Sequence, residues 1–289
     1  MTRLIFGCGY LGRRVATRWL EEGHRPVTVT RSASRAEELA RQGFEPRIAD
    51  VTRPETLAGL PAAETVLYAI GYDRSGGLSR DAVQVRGRRA VLDALRHPPA
   101  RLIYISSTGI YGACDGDWVD EDTPCRPDRE SGRMALAAEE TLRSHPIGSR
   151  AIVLRLAGIY GSGRVPRLRD MVAGRPLPVA PDAIANLIHV DDAASVVLAA
   201  EAQIQPPATY VVSDGHPVPR REFYRHLAEL LRVPPPEFVL PNLAEGEPPR
   251  GAGSKRVRND RMHQQLRVRL AYPSYREGLA AIVNHDDPR

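Results

Sequence analysis

The sequence predicts an α/β protein built on a doubly wound parallel sheet, with a smaller C-terminal region on its substrate side. Three observations predict it. Short apolar runs alternate with helical stretches through the first half of the chain, as strands joined by crossover helices do. A glycine-rich turn, Gly7-Cys8-Gly9-Tyr10-Leu11-Gly12, separates the first run from the first helix. Beyond Gly161 the rhythm breaks: residues 162–182 are rich in Pro, Gly and Arg, and residues 232–253 richer still in Pro, Gly and Glu. The expected division is a main α/β core over 1–161 and a mostly substrate-side region over 162–289, with strand and helix elements returning to the core near 183–215.

Leu4-Ile5-Phe6 is a first strand, too short an apolar run for a helix and bounded by the glycine turn. Leu11 to Glu22 is a helix closed by Gly23. Pro26 to Thr30 is a second strand, Ala36 to Gln42 a helix closed by Gly43, and a third short strand ends near Ala49. Thr65 to Ile70 makes a fourth strand. Residues 80–96 read as one helix carrying Val83, Val91, Leu92 and Leu95 at helical spacing. Leu102 to Ile105 is a fifth strand, residues 131–144 a helix, and Ala151 to Leu154 a sixth strand. Further helical patterns lie at 219–231 and within 260–284. Gly-Ile-Tyr-Gly occurs at 109–112 and 158–161, each time after a strand, and reads as two equivalent strand exits.

With 42% hydrophobic and 26% charged residues, the 289-residue chain has the composition of a globular protein with a sizeable core, not of a disordered one. No apolar run approaches the ~18 residues of a membrane span, and Met1 to Phe6 contains no secretory apolar region. A cytoplasmic protein is expected, bound to neither membrane nor nucleic acid, because the arginines behind the net charge of +5 are scattered. Cys8, Cys114 and Cys125 show no CxxC spacing, so neither a disulfide framework nor a metal site is expected. Lys255 is the only lysine in the chain.

The glycine turn fits G-x-G-x-x-G between a strand and a helix, the context of a dinucleotide-binding Rossmann core. Gly7 permits the tight turn, Gly9 lets backbone amides approach a pyrophosphate, and Gly12 lets the helix pack on the strand. Tyr10 and Leu11 lie within the same candidate site. At the end of the second strand, NAD binders usually carry an acid and NADP binders carry cations and hydroxyls. Here Thr30-Arg31-Ser32-Ala33-Ser34-Arg35 holds no acid before Glu37. Arg31 and Arg35 are suited to grip a 2′-phosphate as planar forks, and Ser32 to donate a hydroxyl. NADP is the expected cofactor, with NAD as the alternative. Asp50-Val51 follows the third strand, where a carboxylate either accepts from an adenine amino group or caps the turn through Pro54. Ala69-Ile70-Gly71, ending the fourth strand, would run past the adenosine ribose.

With these motifs in this order, the chain resembles the epimerase/dehydratase branch of the extended short-chain dehydrogenase/reductases over nearly its whole length. Four further stretches carry the resemblance: Ile105-Ser106-Ser107-Thr108-Gly109-Ile110-Tyr111-Gly112, Trp118 to Pro124, Leu154 to Gly161, and Asn186 to Ala194. It implies a Rossmann core, a nicotinamide cofactor, and a substrate pocket beyond the sixth strand. Sugar nucleotides are the family's commonest ligands, and a homodimer through a helix pair is compatible with the fold.

The resemblance also implies a Ser or Thr after the fifth strand, matched by Ser107 with Thr108 beside it, and a Tyr-x-x-x-Lys pair on the next helix. Aligned on Gly132-Arg133 and Ala137-Ala138-Glu139, the Tyr position holds Ser131 and the Lys position Ala135. Gln84-Val85-Arg86-Gly87 stands where Asn-x-x-Gly is usual. Arg133 could supply a fixed charge but does not exchange protons. The nearest candidates for the substrate proton are Ser107, Thr108 and Tyr111, with Tyr72 a further tyrosine near the cleft. Tyr111 and Tyr160 otherwise pack at strand exits. His189, Asp191 and Asp192 fit loop-fixing hydrogen-bond partners at a helix start. Lys255 and Arg256 fit either an anionic substrate group or a basic surface loop. The leading expectation is an NADP-dependent oxidoreductase or epimerase-like enzyme with a non-standard proton relay. The alternative is a non-catalytic NADP-binding sensor or scaffold.

Overall fold

The computed structural model describes residues 2–73, 76–239 and 254–285. Residues 240–253 of the Pro/Gly/Glu-rich stretch lie outside the described residues. The central sheet has seven parallel strands: β1 (Arg3–Phe6), β2 (Val27–Thr30), β3 (Glu45–Ile48), β4 (Thr65–Tyr68), β5 (Arg101–Ser107), β6 (Ala151–Leu156) and β7 (Ala208–Val212). Their spatial order is β3-β2-β1-β4-β5-β6-β7, so the chain winds outward in both directions from β1 and β4. At such a reversal of strand order, α/β sheets bind ligands outside the carboxyl ends of their strands.

Both faces of the sheet are covered, which is why its strands read as continuous apolar runs. Leu4 and Phe6 of β1 pack into one cluster with Val91, Leu92 and Leu142, under α3 (Gly87–Ala94) and α4 (Glu130–Ser144). Ile5 points the other way, toward Val15, Trp19, Ala193 and Val197 of α1 (Tyr10–Glu21) and α6 (Val190–Gln203). Polar contacts fix these two helices together: Trp19 Nε1 and Arg3 Nε donate to Glu201 at 2.6 and 2.8 Å, and Arg14 pairs with Asp191 at 2.7 Å. α2 (Ala33–Arg41) lies beside β2 and β3.

Outside the sheet, α5 (Leu168–Val172), α7 (Arg220–Leu231) and α9 (Tyr275–His285) gather on a core of their own around Tyr160, Leu177, Phe223, Leu227 and Leu279, whereas Met262 and Leu266 of α8 (Asp260–Leu266) pack into the cluster of α1 and α6. A smaller cluster of Ile110, Tyr111, Val119, Ala135, Val211 and Val257 forms the seam with the main sheet.

Three local expectations need correction. The stretch read as one helix from 80 to 96 is helical from 80 to 94, with a π-helical turn over Ala82–Arg86 set into it ahead of α3. β5 runs to Ser107 rather than Ile105, so Ser107 is the last strand residue. The two Gly-Ile-Tyr-Gly copies are not equivalent. Thr108–Tyr111 is a 3₁₀ turn, whereas Gly158–Tyr160 is a short strand parallel to Leu187–His189. Identical tetrapeptides diverge because α4 presses on the first, while the second finds a pairing strand.

Candidate functional site

The glycines of the turn between β1 and α1 answer to different demands. Gly7 has φ +94°, and a Cβ there would lie 2.5 Å from the backbone of Ala69 at the exit of β4. At Gly12 a Cβ would overlap the Gly7 carbonyl. The fold itself therefore requires both. At Gly9 a Cβ would meet nothing within 4 Å, so that position faces open space at the start of α1, whose N-cap makes no side-chain hydrogen bond. The first turn of a helix facing a space that a side chain would fill forms a cradle for a diphosphate. Leu11 is 6% exposed and its side chain belongs to the core, leaving only its backbone for a ligand. Tyr10 lies under the guanidinium groups of Arg14 and Arg164, and its hydroxyl donates to the Ser162 carbonyl at 3.0 Å, tying the turn to the segment after Gly161.

β2 delivers the cationic segment beside this cradle. Ser32 Oγ caps α2 by accepting from the Arg35 amide at 3.3 Å. Arg35 reaches back over the turn, Nη2 donating to the Cys8 carbonyl at 3.2 Å, while Nη1 pairs with Glu38. Arg13 lies 3.5 Å from the same Glu38, whose carboxyl is held below its ordinary range by the Arg35 hydrogen bond. Arg31 stands half exposed, 3.7 Å from Asp73. Cys8 is no nucleophile: burial pushes its thiol up to about 11.

Asp50 caps its turn. Its Oδ1 accepts from the Thr52 amide at 2.9 Å and the Thr52 hydroxyl at 2.7 Å, the second of the two roles open to it from sequence. Val51 is 8% exposed, within the core cluster under α3. Ala69 lies against Gly7, Ile70 is half-buried, and a Cβ on Gly71 would point into open space.

At the exit of β5 the three proton-handling candidates separate. Ser107 is exposed, its Oγ accepting from the Gly109 amide at 3.1 Å. Thr108 is buried at 8% exposure. Tyr111 is 0% exposed, and Arg155 Nη1 donates to its hydroxyl at 2.9 Å. Burial raises that phenol's pKa against the pull of Arg155. Tyr111 thus packs in the seam, with its hydroxyl accepting from Arg155. Behind it, Arg155 pairs with Glu139 at 2.8 Å, and the Ser106 hydroxyl donates to Glu139 at 2.6 Å. Tyr72 is also engaged, donating to the Leu78 carbonyl at 2.8 Å.

α4 starts hard against this exit, because a Cβ on Gly132 would overlap the Gly109 carbonyl. Ser131 is exposed, and Ala135 is buried in the seam with Tyr111 and Val257. On the far side, His189 Nδ1 caps α6 by accepting from the Asp191 amide at 3.3 Å. Asp192 accepts from the amides of Ala271 and Tyr272 at 2.7 and 2.9 Å. These residues fix loops, as their pattern suggested.

Two groups emerge only in three dimensions. Lys255 is drawn in from the C-terminal region, its Nζ donating to the Gly112 carbonyl at 2.9 Å. Asp214 is 4% exposed and borders a crevice of 1170 Å³ with His216, His263, Arg267 and Arg269. Its Oδ1 accepts from the His216 amide at 2.9 Å, while the buried Oδ2 has no hydrogen-bond partner among the described residues. Burial pushes this carboxyl up to about 7. A carboxyl raised in the folded state keeps its proton while the unfolded chain loses it, so its contribution to stability is greatest below pH ~4 and falls as pH rises to ~7. Asp214→Asn keeps the acceptor and removes the ionisation. It should stabilise the protein at pH 8 by about 1–4 kcal/mol relative to wild type, and by less at pH 5. Urea midpoints at the two pH values check this, and an equal difference at both would show that Asp214 ionises without penalty.

The sheet, its reversal of strand order and the open glycine position define a dinucleotide-binding α/β protein. The model of the NAD dependent epimerase/dehydratase family matches residues 4–213, and the chain belongs to that family, as an atypical member of the extended short-chain dehydrogenase/reductases. Protein YeeZ of Escherichia coli K12 is 31% identical over 244 residues, which cover 81% of this chain and 85% of YeeZ. The structure of a functionally unknown conserved protein from Silicibacter pomeroyi DSS superposes with a TM-score of 0.77 at 33% identity, covering 100% of this chain and 99% of that one. UDP-glucuronic acid 4-epimerase from Bacillus cereus, in complex with UDP-glucuronic acid and NAD, shares the fold at a TM-score of 0.80 and 14% identity, over 99% of each chain. Among the described residues no helix is long and apolar enough to cross a membrane, and no three potential ligand side chains gather for a metal.

Proposed function

We propose that the protein is an NADP-dependent oxidoreductase or epimerase/dehydratase whose proton relay departs from the family pattern, acting on a small molecule of the sugar-nucleotide class. It works in the cytoplasm, and a homodimer is compatible with its fold. The observation that carries the reading is the open cradle at Gly9 with the Arg35 guanidinium bonded to the Cys8 carbonyl at its rim. In this reading Gly7, Gly9, Tyr10, Leu11 and Gly12 receive the diphosphate through backbone, and Arg31, Ser32 and Arg35 receive the 2′-phosphate. Asp50 and Val51 border the adenine, and Ala69, Ile70 and Gly71 the ribose. When bound, the nicotinamide supplies or accepts a hydride. Ser107, with Thr108 behind it, orients the reacting hydroxyl or carbonyl. Neither hydroxyl can store a charge at neutral pH, so they pass a proton onward rather than hold it.

If this is right, NADP should bind more tightly than NAD by about 1–3 kcal/mol, or roughly 5- to 150-fold. Arg31→Ala and Arg35→Ala should each narrow the gap. Calorimetric titration of both cofactors decides it, and equal affinities in wild type would overturn the NADP assignment. Turnover is tested separately, with UDP-sugars and bound NADP. Loss of turnover in Ser107→Ala would support the relay. The exposed Ser131 and buried Ala135 favour a second reading, a non-catalytic NADP sensor or scaffold. Tight NADP binding without turnover of any substrate in that panel would select it.

A further inference from the structure

Most of the arginines around the glycine turn answer to acids. Arg14 pairs with Asp191 at 2.7 Å, Arg13 and Arg35 meet Glu38, and Arg31 lies 3.7 Å from Asp73. Arg164 differs. It reaches the same turn from the segment after Gly161, its guanidinium 5.3 Å from the centre of the Tyr10 ring. The residue is exposed, and among the described residues its side chain has neither an acid nor a hydrogen-bond partner.

Backbone contacts fix where that charge stands. Gly161 to Arg164 forms a tight turn, the Arg164 amide donating to the Gly161 carbonyl at 2.9 Å, with Gly163 at φ +71°. The turn leaves the short strand Gly158–Tyr160, which pairs in parallel with Leu187–His189. Tyr10, the residue after Gly9 and the first of α1, holds it from the other side. The Tyr10 hydroxyl donates to the Ser162 carbonyl at 3.0 Å, and a Cβ at Gly161 would lie 2.6 Å from that hydroxyl oxygen. Arg164 is therefore held against the side chain that follows Gly9, next to the open position.

Gly7 to Gly12 contains no cation, so backbone amides and the helix dipole alone would face the charge of a diphosphate. A guanidinium resting on an aromatic ring is oriented before a ligand arrives. It keeps its donors free, as a planar fork suited to phosphate oxygens. The geometry points to Arg164 as a clamp on the cofactor's diphosphate, joining the α1 amides from the turn 161–164. This inference rests on the Gly9 site being the cofactor's, as proposed above, and adds that the segment after Gly161 takes part in holding it.

Calorimetric titration of the full chain tests it with NADP, with ADP, and with adenosine 2′-monophosphate, which has no diphosphate. Arg164→Met keeps an apolar stem over Tyr10 and removes the fork. It should weaken NADP and ADP alike, by about tenfold each, the size of one charge-assisted hydrogen bond. Adenosine 2′-monophosphate should bind as it does to wild type. Arg164→Lys keeps the charge without the fork and should recover part of the loss. Arg169→Met, at an exposed position of α5, removes the same net charge and should change none of the three. Wild-type affinity of Arg164→Met for NADP and ADP overturns the proposal, and so does an equal loss with adenosine 2′-monophosphate. UDP, titrated into NADP-saturated protein, covers the other diphosphate a sugar nucleotide would bring. A variant weakened toward UDP but not toward NADP would place Arg164 on the substrate and overturn the proposal. If wild type binds neither NADP nor ADP, the cofactor reading fails and takes the clamp with it; if it binds both and Arg164→Met matches it, the clamp fails alone.

Discussion

Gly9→Val should abolish cofactor binding while leaving the fold intact. A Cβ at Gly9 meets nothing within 4 Å, so the empty protein has no contact to lose and no overlap to relieve. The valine would instead fill the space that backbone amides need open for a diphosphate. Losing even two charge-assisted hydrogen bonds at about 1.5–3 kcal/mol each would weaken NADP by 100-fold or more. The expected result is a circular dichroism spectrum and melting temperature like wild type, with no measurable NADP binding. Gly7→Ala supplies the contrast, because there a Cβ lies 2.5 Å from the Ala69 backbone at φ +94°. That variant should lose stability as well as binding. A Gly9→Val protein that binds NADP normally would put the phosphates elsewhere.

Arg155→Met should cost about 3–5 kcal/mol, the usual penalty for stripping a buried charge of its partner. Glu139 is 1% exposed and takes hydrogen bonds from Arg155, Ser106 and Arg143. Without Arg155 its carboxylate would remain buried with only the partly exposed Arg143 as counter-charge, and the Tyr111 hydroxyl would lose its donor. Burial alone would raise the Glu139 pKa, but Arg155, Ser106 and Arg143 together hold it below the ordinary value. A depressed carboxyl contributes stability above its unfolded pKa and loses it as pH falls through the folded value. The deficit of Arg155→Met should therefore be full at pH 7 and shrink below pH ~4. Replacing both partners, as Arg155→Met with Glu139→Gln, should cost less than the two single changes added together. Chemical denaturation of the four proteins measures this, and a single variant within about 1 kcal/mol of wild type would show that the pair is not held as the geometry implies.

The sequence by itself determined the order of elements and the character of the cofactor turn. Leu4-Ile5-Phe6, the helical spacing after Leu11 and the positive-φ glycines at 7, 23 and 43 are local signals. Each depends on a residue and its near neighbours, so each can be read along the chain. The vacancy on α4 was equally legible, as Ser131 and Ala135. The partners and surroundings of Tyr111, Lys255 and Asp214 were not. Tyr111 follows a strand toward the cleft, yet it is buried because Arg155 waits for its hydroxyl from 44 residues away. Lys255 fitted either an anionic substrate group or a basic loop, and its bond to the Gly112 carbonyl across 143 residues is visible only in the fold. Asp214 gave no signal at all, since a carboxyl is raised by the low-dielectric surroundings that other segments build around it. Local backbone preference fixed the scaffold, whereas burial and the distance to a counter-charge are decided only when remote segments pack, and those two quantities set which polar groups are free to act.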